Sequence, residues 1–162
     1  MKVVAGDIGG RKTLLQICEL RDGLPTPLWE RRYASADFQT FERLLDAFLR
    51  EAPEHCTEEL VSACFGVAGP VDASGQSALV TNLPWVLRSH ELARLIGKGS
   101  SVRLINDFYA VGLGIACLAP SDLYTLQSAK RQSFAPSVVV GAGTGLGVAQ
   151  RFTHKVAEDR RS

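Results

Sequence analysis

The sequence predicts an α/β protein with a mixed sheet, and three observations favour that class. Apolar residues make up 46% of the 162 residues and charged residues 22%, which is the balance of a folded globular chain rather than a disordered one. Three strand-like runs precede the first helical pattern, whereas a doubly wound fold would alternate strands and helices from the start. Helical and strand-like segments then alternate along the rest of the chain.

The first part of the chain is predicted to form three strands, at residues 3–6, 13–20 and 28–33. Asp22-Gly23 has the composition of a tight hairpin turn between the second strand and the third. The apolar period then changes to that of a helix, with Asp37 as the predicted N-cap and Pro53 beyond the end. This part therefore predicts a three-stranded meander followed by an amphipathic helix.

The later elements are predicted at residues 60–67 (strand), 74–75 (hairpin turn), 89–96 (helix), 102–105 (strand), 106–118 (helix), 138–140 and 148–152 (strands). The last two strands form a hairpin with nothing predicted to pack on it, and an isolated hairpin is marginally stable. We therefore expect a first domain over residues 1–118 and the start of a larger second domain over residues 119–162, in a chain that has been cut short.

Charge, hydropathy and cysteine content argue against several classes of function. Eighteen Lys and Arg residues oppose seventeen Asp and Glu residues, and the net charge of +1 gives no reason to expect nucleic acid or an anionic membrane as a partner. The longest apolar stretch, residues 111–119, is too short to cross a bilayer. The four cysteines form no Cys-x-x-Cys pair, so we expect reduced thiols and a cytoplasmic location.

Two glycine-bearing loops, residues 6–12 and 141–147, have the composition of phosphate-binding loops. Backbone N–H groups can converge on an anion where glycine leaves room for it. Arg11 stands where a P-loop needs a glycine, Leu146 stands where a dinucleotide-binding loop needs one, and a strand-like run follows each loop. We therefore reject both motifs and interpret the loops as hairpin turns, which either bind phosphate or only supply the positive φ angles of a tight turn.

Polar residues at predicted strand ends and turns are candidate ligands. Asp7 ends the first strand, where its carboxylate can hold a hydrated Mg²⁺ beside phosphates. Asn106-Asp107 stands where a strand meets a helix, so Asp107 is either a helix cap or a general base that takes a proton from a substrate hydroxyl. Asn82 is either a turn residue before Pro84 or a side-chain amide that binds sugar hydroxyls. The histidines show no metal-ligand spacing.

Five motifs occur in the order in which they occur in the bacterial glucokinase family, and the chain resembles that family from residue 3 to about residue 149. The motifs are GDIGGRK at residues 6–12, FGVAGPV at 65–71, TNLPW at 81–85, LINDF at 104–108 and GAGTGLG at 141–147. This family belongs to the sugar kinase/Hsp70/actin superfamily. The resemblance implies an RNase H-like (actin-like ATPase) fold in two domains, with ATP and glucose bound in the cleft between them.

The resemblance also implies roles for particular residues in the transfer of the ATP γ-phosphoryl group to the 6-hydroxyl of glucose. Asp107 would be the general base, and together with Asn82 and Asn106 it would bind the sugar. Asp7 would face Mg²⁺. The two phosphate loops would consist of Gly6, Asp7, Ile8, Gly9, Gly10 and Arg11, and of Gly143, Thr144 and Gly145.

Two departures from the family pattern leave other functions open. Arg11 replaces the family's Thr, and no Glu-Gly-x-His motif with acidic and histidine sugar ligands follows the second loop. A non-catalytic remnant, or a sugar- or nucleotide-binding module, is therefore the alternative to a glucokinase. A sugar-responsive regulator on the same fold would carry a DNA-binding segment ahead of the first loop, but only six residues precede Asp7. A homodimer is one way to cover the exposed face of the first domain.

Overall fold

The computed structural model describes residues 1–130, 132, 135–142 and 146–151. The strands are β1 (Lys2–Ile8), β2 (Lys12–Arg21), β3 (Leu24–Ala34), β4 (Leu60–Val67), β5 (Ser77–Leu79), β6 (Val86–Arg88), β7 (Ser101–Asn106), β8 (Ser137–Ala142) and β9 (Leu146–Arg151). The helices are α1 (Phe41–Glu51), α2 (Glu54–Thr57), α3 (Ser89–Ile96) and α4 (Asp107–Gly114). Short 3₁₀ turns occur at Ser35–Asp37, Ile115–Cys117 and Pro120–Asp122.

The chain divides into two compact units, Met1–Asp107 and the part that begins at Phe108. The domain boundary expected after residue 118 stays a prediction. No helix in the described ranges combines the length and the hydropathy that crossing a membrane requires.

A five-stranded mixed sheet in the order β3-β2-β1-β4-β7 forms the centre of the first unit. β1, β2 and β3 run antiparallel as a meander, while β4 runs parallel to β1 and β7 runs parallel to β4. Asp22 and Gly23 both have positive φ, as a two-residue turn between twisted antiparallel strands requires. The mixed sheet and its opening meander confirm the predicted α/β class.

The core lies between one face of this sheet and the helices α1 and α3. Alternate residues of β1, Val4 and Ile8, are buried on that face, and full burial of such a side chain contributes about 1.5–3 kcal/mol. The rings of Phe41 and Phe65 meet edge to face, with centroids 5.1 Å apart. Trp85 packs in the same core, with its ring centroid 6.1 Å from that of Phe41.

α1 begins later than predicted. Asp37, the predicted N-cap, belongs to the 3₁₀ turn that follows β3. Thr40 takes the capping role, because its side chain accepts a hydrogen bond from the Arg43 amide (3.4 Å) and helical backbone starts at Phe41. Asp and Thr are both good N-cap residues, so residue type alone does not decide between them. Thr40 is the cap because Asp37 is already part of the 3₁₀ turn.

α4 is shorter than predicted at both ends. Asn106 is the last residue of β7, so the helix starts at Asp107. It ends at Gly114, because residues 115–117 tighten into a 3₁₀ turn.

The predicted turn at residues 74–75 is present ahead of β5, with Gly75 at φ 70° and a bridge that pairs Val71 with Ala78. A second small hairpin, of β5 and β6, follows it. The pairing of β5 with residues 86–88 was missed, because a strand of three residues is too short to show a period of two.

In the second unit, β8 and β9 form an antiparallel hairpin whose strands extend further into the glycine loop than predicted. Gly141 and Ala142 belong to β8, and Leu146 and Gly147 belong to β9. The rest of the loop, residues 143–145, lies outside the described residues.

Candidate active site

The carboxyl ends of β1, β4 and β7 lie at one edge of the five-stranded sheet, and the acidic candidates are found there. Val67 of β4 pairs with Ile8 of β1 on one side and with Asn106 of β7 on the other. The residue before it in β4, Gly66, pairs with Asp7. Asp107 follows as the first residue of α4. Neighbouring strands are about 4.8 Å apart, so β1 and β7 are separated by about 10 Å. The two acidic residues therefore stand on either side of a strand whose Gly66 has no side chain.

This arrangement raises the pKa of the Asp7 carboxylate. Partial burial raises its pKa, and the negative charge of Asp107 raises it further. Asp7 nevertheless remains open to solvent on one side, and Asp107 is half-buried. Because the two negative charges disfavour each other at this accessible edge, a bound cation would be stabilised there.

The donor set at this edge fits Mg²⁺. This ion usually keeps several waters and binds through one or two carboxylates together with substrate phosphates. Within the described ranges, no group of three or more His, Cys, Asp or Glu side chains could form a closed metal site. Asp7 supplies a single accessible carboxylate, which suits an ion that is carried mainly by phosphates and water.

The loop after β1 is a tight turn that lies against a second turn. The Gly9 amide donates a hydrogen bond to the Lys12 carbonyl oxygen (3.0 Å), which closes the connection between β1 and β2. A Cβ added at Gly10 would lie 2.6 Å from the Thr81 carbonyl oxygen and 3.5 Å from the Cβ of Asn82. Only glycine permits this approach. The predicted phosphate loop and the predicted sugar-binding turn are therefore neighbours.

The other residues assigned to the first loop have different environments. Arg11 is exposed at the turn. The Ile8 side chain is fully buried, and a Cβ at Gly6 would lie 2.6 Å from Cδ2 of Leu15 and 2.7 Å from Cδ1 of Phe65, so both positions face the core. Any contact of Gly6 or Ile8 with phosphate would have to come from the backbone.

Asn82 is held in the left-handed backbone conformation, with φ 66°. The Thr81 amide donates to the Ala68 carbonyl oxygen (2.8 Å) and the Val80 amide donates to the Trp85 carbonyl oxygen (3.1 Å), so hydrogen bonds fix the turn on both sides. Asparagine is one of the few residues besides glycine that tolerate this conformation. The structure thus supports the turn interpretation of Asn82 and also leaves its side chain exposed, where the amide can reach a ligand.

Asn106 joins the end of β7 to the loop that follows β4. Its Nδ2 donates to the Gly69 carbonyl oxygen (3.4 Å). A Cβ at Gly69 would lie 2.0 Å from the Leu79 carbonyl oxygen, so no side chain fits there. Gly69 belongs to one of the five motifs, but no role was predicted for it from the sequence. Its place in that motif, two residues after the predicted strand at residues 60–67, was the available signal.

The ring of Phe108 packs against both strands of the β8–β9 hairpin. Gly141 and Gly147 lie opposite each other in the β8–β9 ladder. A Cβ at Gly141 would be 2.6 Å from Cε2 of Phe108, and a Cβ at Gly147 would be 2.4 Å from Cδ2. The aromatic ring therefore lies against the paired glycines. This contact of Phe108 was not predicted from the sequence. The phosphate ligands predicted in this second loop, Gly143, Thr144 and Gly145, lie outside the described residues.

Each glycine loop leads into a strand, β2 after the first and β9 after the second. P-loops and dinucleotide-binding loops lead instead into a helix whose N-terminus meets the phosphates. The structure thus agrees with the rejection of both motifs.

Comparison with known proteins gives a consistent result. Residues 4–159 match the glucokinase family. The glucokinase of Trichormus variabilis (strain ATCC 29413 / PCC 7937) is 42% identical to this chain over 148 residues, which are 90% of this chain and 41% of that protein. The chain thus spans less than half the length of this relative.

Two solved structures share the fold. Glucokinase from an Antarctic psychrotroph matches with a TM-score of 0.80 at 24% identity, covering 95% of this chain and 47% of that chain. A ROK family glucokinase from Streptomyces griseus, crystallised with glucose and AMPPNP, matches with a TM-score of 0.60 at 22% identity, covering 94% and 45%. These matches confirm the predicted actin-like ATPase (RNase H-like) fold. Because the family match extends over nearly all of its length, the chain belongs to the glucokinase family.

Proposed function

We propose that the chain supplies phosphate-binding and sugar-binding residues of an ATP-dependent glucokinase, which transfers the γ-phosphoryl group of ATP to the 6-hydroxyl of glucose. One observation carries the proposal: Asp7 and Asp107 stand on either side of β4 at the sheet edge where the first glycine turn begins, close enough for the charge of Asp107 to raise the pKa of Asp7. The glucose and AMPPNP bound to the Streptomyces griseus neighbour support the choice of substrates.

In this proposal Asp107 is the general base. It accepts the proton of the 6-hydroxyl as that oxygen attacks the γ-phosphorus, while the bond from phosphorus to the bridging oxygen breaks and ADP leaves. The N-terminus of α4 stabilises the negative charge of Asp107. A place in the first turn of a helix and a catalytic role are therefore compatible for Asp107.

The phosphate groups would be bound by backbone and side-chain donors of the first turn. Residues 10–12 offer backbone N–H groups, and the exposed guanidinium of Arg11 can pair with phosphate oxygens. Gly143, Thr144 and Gly145 would form the second phosphate loop, as the family resemblance implies. Asp7 would hold Mg²⁺, which supplies neutralisation of the phosphate charge.

The sugar would be oriented by two side-chain amides and one carboxylate. Asn82 and Asn106 can donate to and accept from hydroxyl groups, and Asp107 accepts from the 6-hydroxyl. Phosphoryl transfer mainly requires alignment and charge neutralisation, so three ligands on fixed strand ends and turns suit the reaction.

The test is a titration of the ¹⁵N-labelled 162-residue chain, with Mg·AMPPNP and glucose added separately. We expect the nucleotide to shift the amide signals of residues 9–12 and glucose to shift those of Asn82 and Asn106. Asn82→Gly keeps the left-handed backbone but removes the amide, and should weaken glucose binding about tenfold. Gln76→Ala removes an exposed amide outside the proposed site and should leave it unchanged. Shifts confined to other parts of the chain would contradict the proposal.

We further propose a cytoplasmic location and self-association of the chain. The first is supported by four free thiols, at Cys18, Cys56, Cys64 and Cys117. The second is supported by large apolar side chains exposed on the β8–β9 hairpin, at Val138, Val140, Leu146 and Val148. Sedimentation of the purified chain over a range of concentrations tests for a dimer.

A further inference from the structure

We propose that Ser35, supported by Thr13, is a positioning residue for the first phosphate loop, and this inference rests on the proposed function of that loop. Ser35 begins the 3₁₀ turn after β3, and Thr13 is the second residue of β2. Both residues are fully buried although they are polar. Buried hydroxyl groups are almost always hydrogen-bonded, so their partners indicate what the two residues do.

Ser35 holds two carbonyl groups of the loop. Its hydroxyl donates to the carbonyl oxygen of Gly9 at 2.7 Å, and its backbone amide donates to the carbonyl oxygen of Arg11 at 3.0 Å. Thr13 Oγ1 lies 3.0 Å from Ser35 Oγ. Because the single hydroxyl proton of Ser35 is directed to Gly9, Thr13 is the donor in this second contact. Ser35 thus anchors the loop, and Thr13 orients the Ser35 hydroxyl.

The direction of the Gly9 carbonyl determines the direction of the next amide. The C=O and N–H groups of a trans peptide unit point in opposite directions, and the described peptide bonds are all trans. The Gly10 N–H is therefore directed away from Ser35. A phosphate loop needs such N–H groups fixed in advance, because an anion then binds without the entropic cost of ordering the loop.

The test measures anion binding at the loop amides of the 162-residue chain, with pyrophosphate as the probe and ¹⁵N–¹H spectra as the readout. Ser35→Ala removes the donor to Gly9, and we expect the pyrophosphate dissociation constant measured at the Gly10 amide to rise about tenfold. Thr13→Val keeps the side-chain shape without the hydroxyl and should raise the constant less. Thr13→Ser keeps the hydroxyl and should retain the wild-type value.

Ser100→Ala is the matched control. The Ser100 hydroxyl also donates to backbone carbonyl groups, those of Ala93 (2.9 Å) and Gly97 (2.8 Å), but it does so at the C-terminal end of α3. This variant should lower the melting temperature without changing the pyrophosphate constant. The two Thr13 variants decide the question if Ser35→Ala does not fold.

Two kinds of failure can be told apart. If pyrophosphate shifts none of the amides of residues 9–12 in the wild-type chain, the proposed phosphate loop is wrong, and the positioning role falls with it. If the wild-type chain binds pyrophosphate and the folded Ser35→Ala and Thr13→Val variants bind it equally tightly, the phosphate loop stands and the positioning role is overturned.

Discussion

The two glycine loops of this chain need glycine for different physical reasons. In the first loop, Gly10 leaves room for a backbone carbonyl group, that of Thr81. In the second, Gly141 and Gly147 leave room for the aromatic ring of Phe108. A carbonyl group within a hydrogen-bonded turn cannot move aside, whereas a ring can rotate about its side-chain bonds. Glycines that look equivalent in sequence should therefore differ in how well a substitution can be tolerated.

The largest effect is expected at the first loop. Gly10→Ala would place a Cβ 2.6 Å from the Thr81 carbonyl oxygen. We expect it to lower the free energy of unfolding by about 2–3 kcal/mol, because the backbone must shift. Urea unfolding followed by tryptophan fluorescence measures this, since Trp29 and Trp85 both belong to the first unit. Gln76→Ala, at an exposed position of the same unit, is the control and should cost little. Equal stability of the two variants would remove the distinction between the loops.

A smaller loss of stability is expected at the second loop, and a second substitution should cancel most of it. Gly147→Ala should lower amide-exchange protection in β8 and β9, because the new methyl group meets the ring of Phe108. Phe108→Ala should cancel most of that additional loss when the two changes are combined, with a coupling energy of about 1–2 kcal/mol. Strict additivity in this double-mutant cycle would show that the ring is not what the glycine accommodates.

The smallest effect concerns the charge of Asp7. The folded-state pKa of Asp7 is raised above its usual 3.8, by partial burial and by the charge of Asp107, so the folded state binds this proton more tightly than the unfolded state does. Its contribution to stability therefore falls as pH rises from 3.8 through the folded-state pKa. Asp7→Asn should melt at a higher temperature than the wild-type chain at pH 7, and this difference should disappear below pH 3.8.

The control for Asp7 is Asp46→Asn. Asp46 pairs with Arg50 on the surface of α1, with 3.0 Å between Oδ2 and Nη2, so its neutralisation should not raise the melting temperature. Adding MgCl₂ should raise the melting temperature of the wild-type chain and leave that of Asp7→Asn unchanged. An Asp7→Asn variant that melts below the wild-type chain at pH 7 would contradict the electrostatic account of this edge.

Local signals predicted much of the fold. Residues 60–67 and 89–96 were assigned as a strand and a helix with the bounds that β4 and α3 have, because an apolar run and a helical period ending at Gly97 are local features. The acidic strand end at Asp7 was also visible. The start of α1 was not, because Asp37 and Thr40 are both good caps and tertiary structure chooses between them.

The contacts that build the candidate site could not be predicted in the same way. Ser35 binds the Gly9 carbonyl across 26 positions, and Asn106 binds the Gly69 carbonyl across 37. Neither pair leaves a periodic pattern, since each depends on which strands become neighbours. Predicting them requires the sheet order, which places β4 between β1 and β7.

The role that we propose for Asp107 is the central claim, and its substitution tests that claim most directly. The measurement is the rate of ATP-dependent glucose 6-phosphate formation by the wild-type chain and by Asp107→Asn, with the glucose dissociation constant of each. We predict that the variant loses turnover by roughly 10²–10⁴-fold, the usual contribution of a general base, while its glucose affinity changes little. An Asp107→Asn variant that retains the wild-type rate would contradict the account.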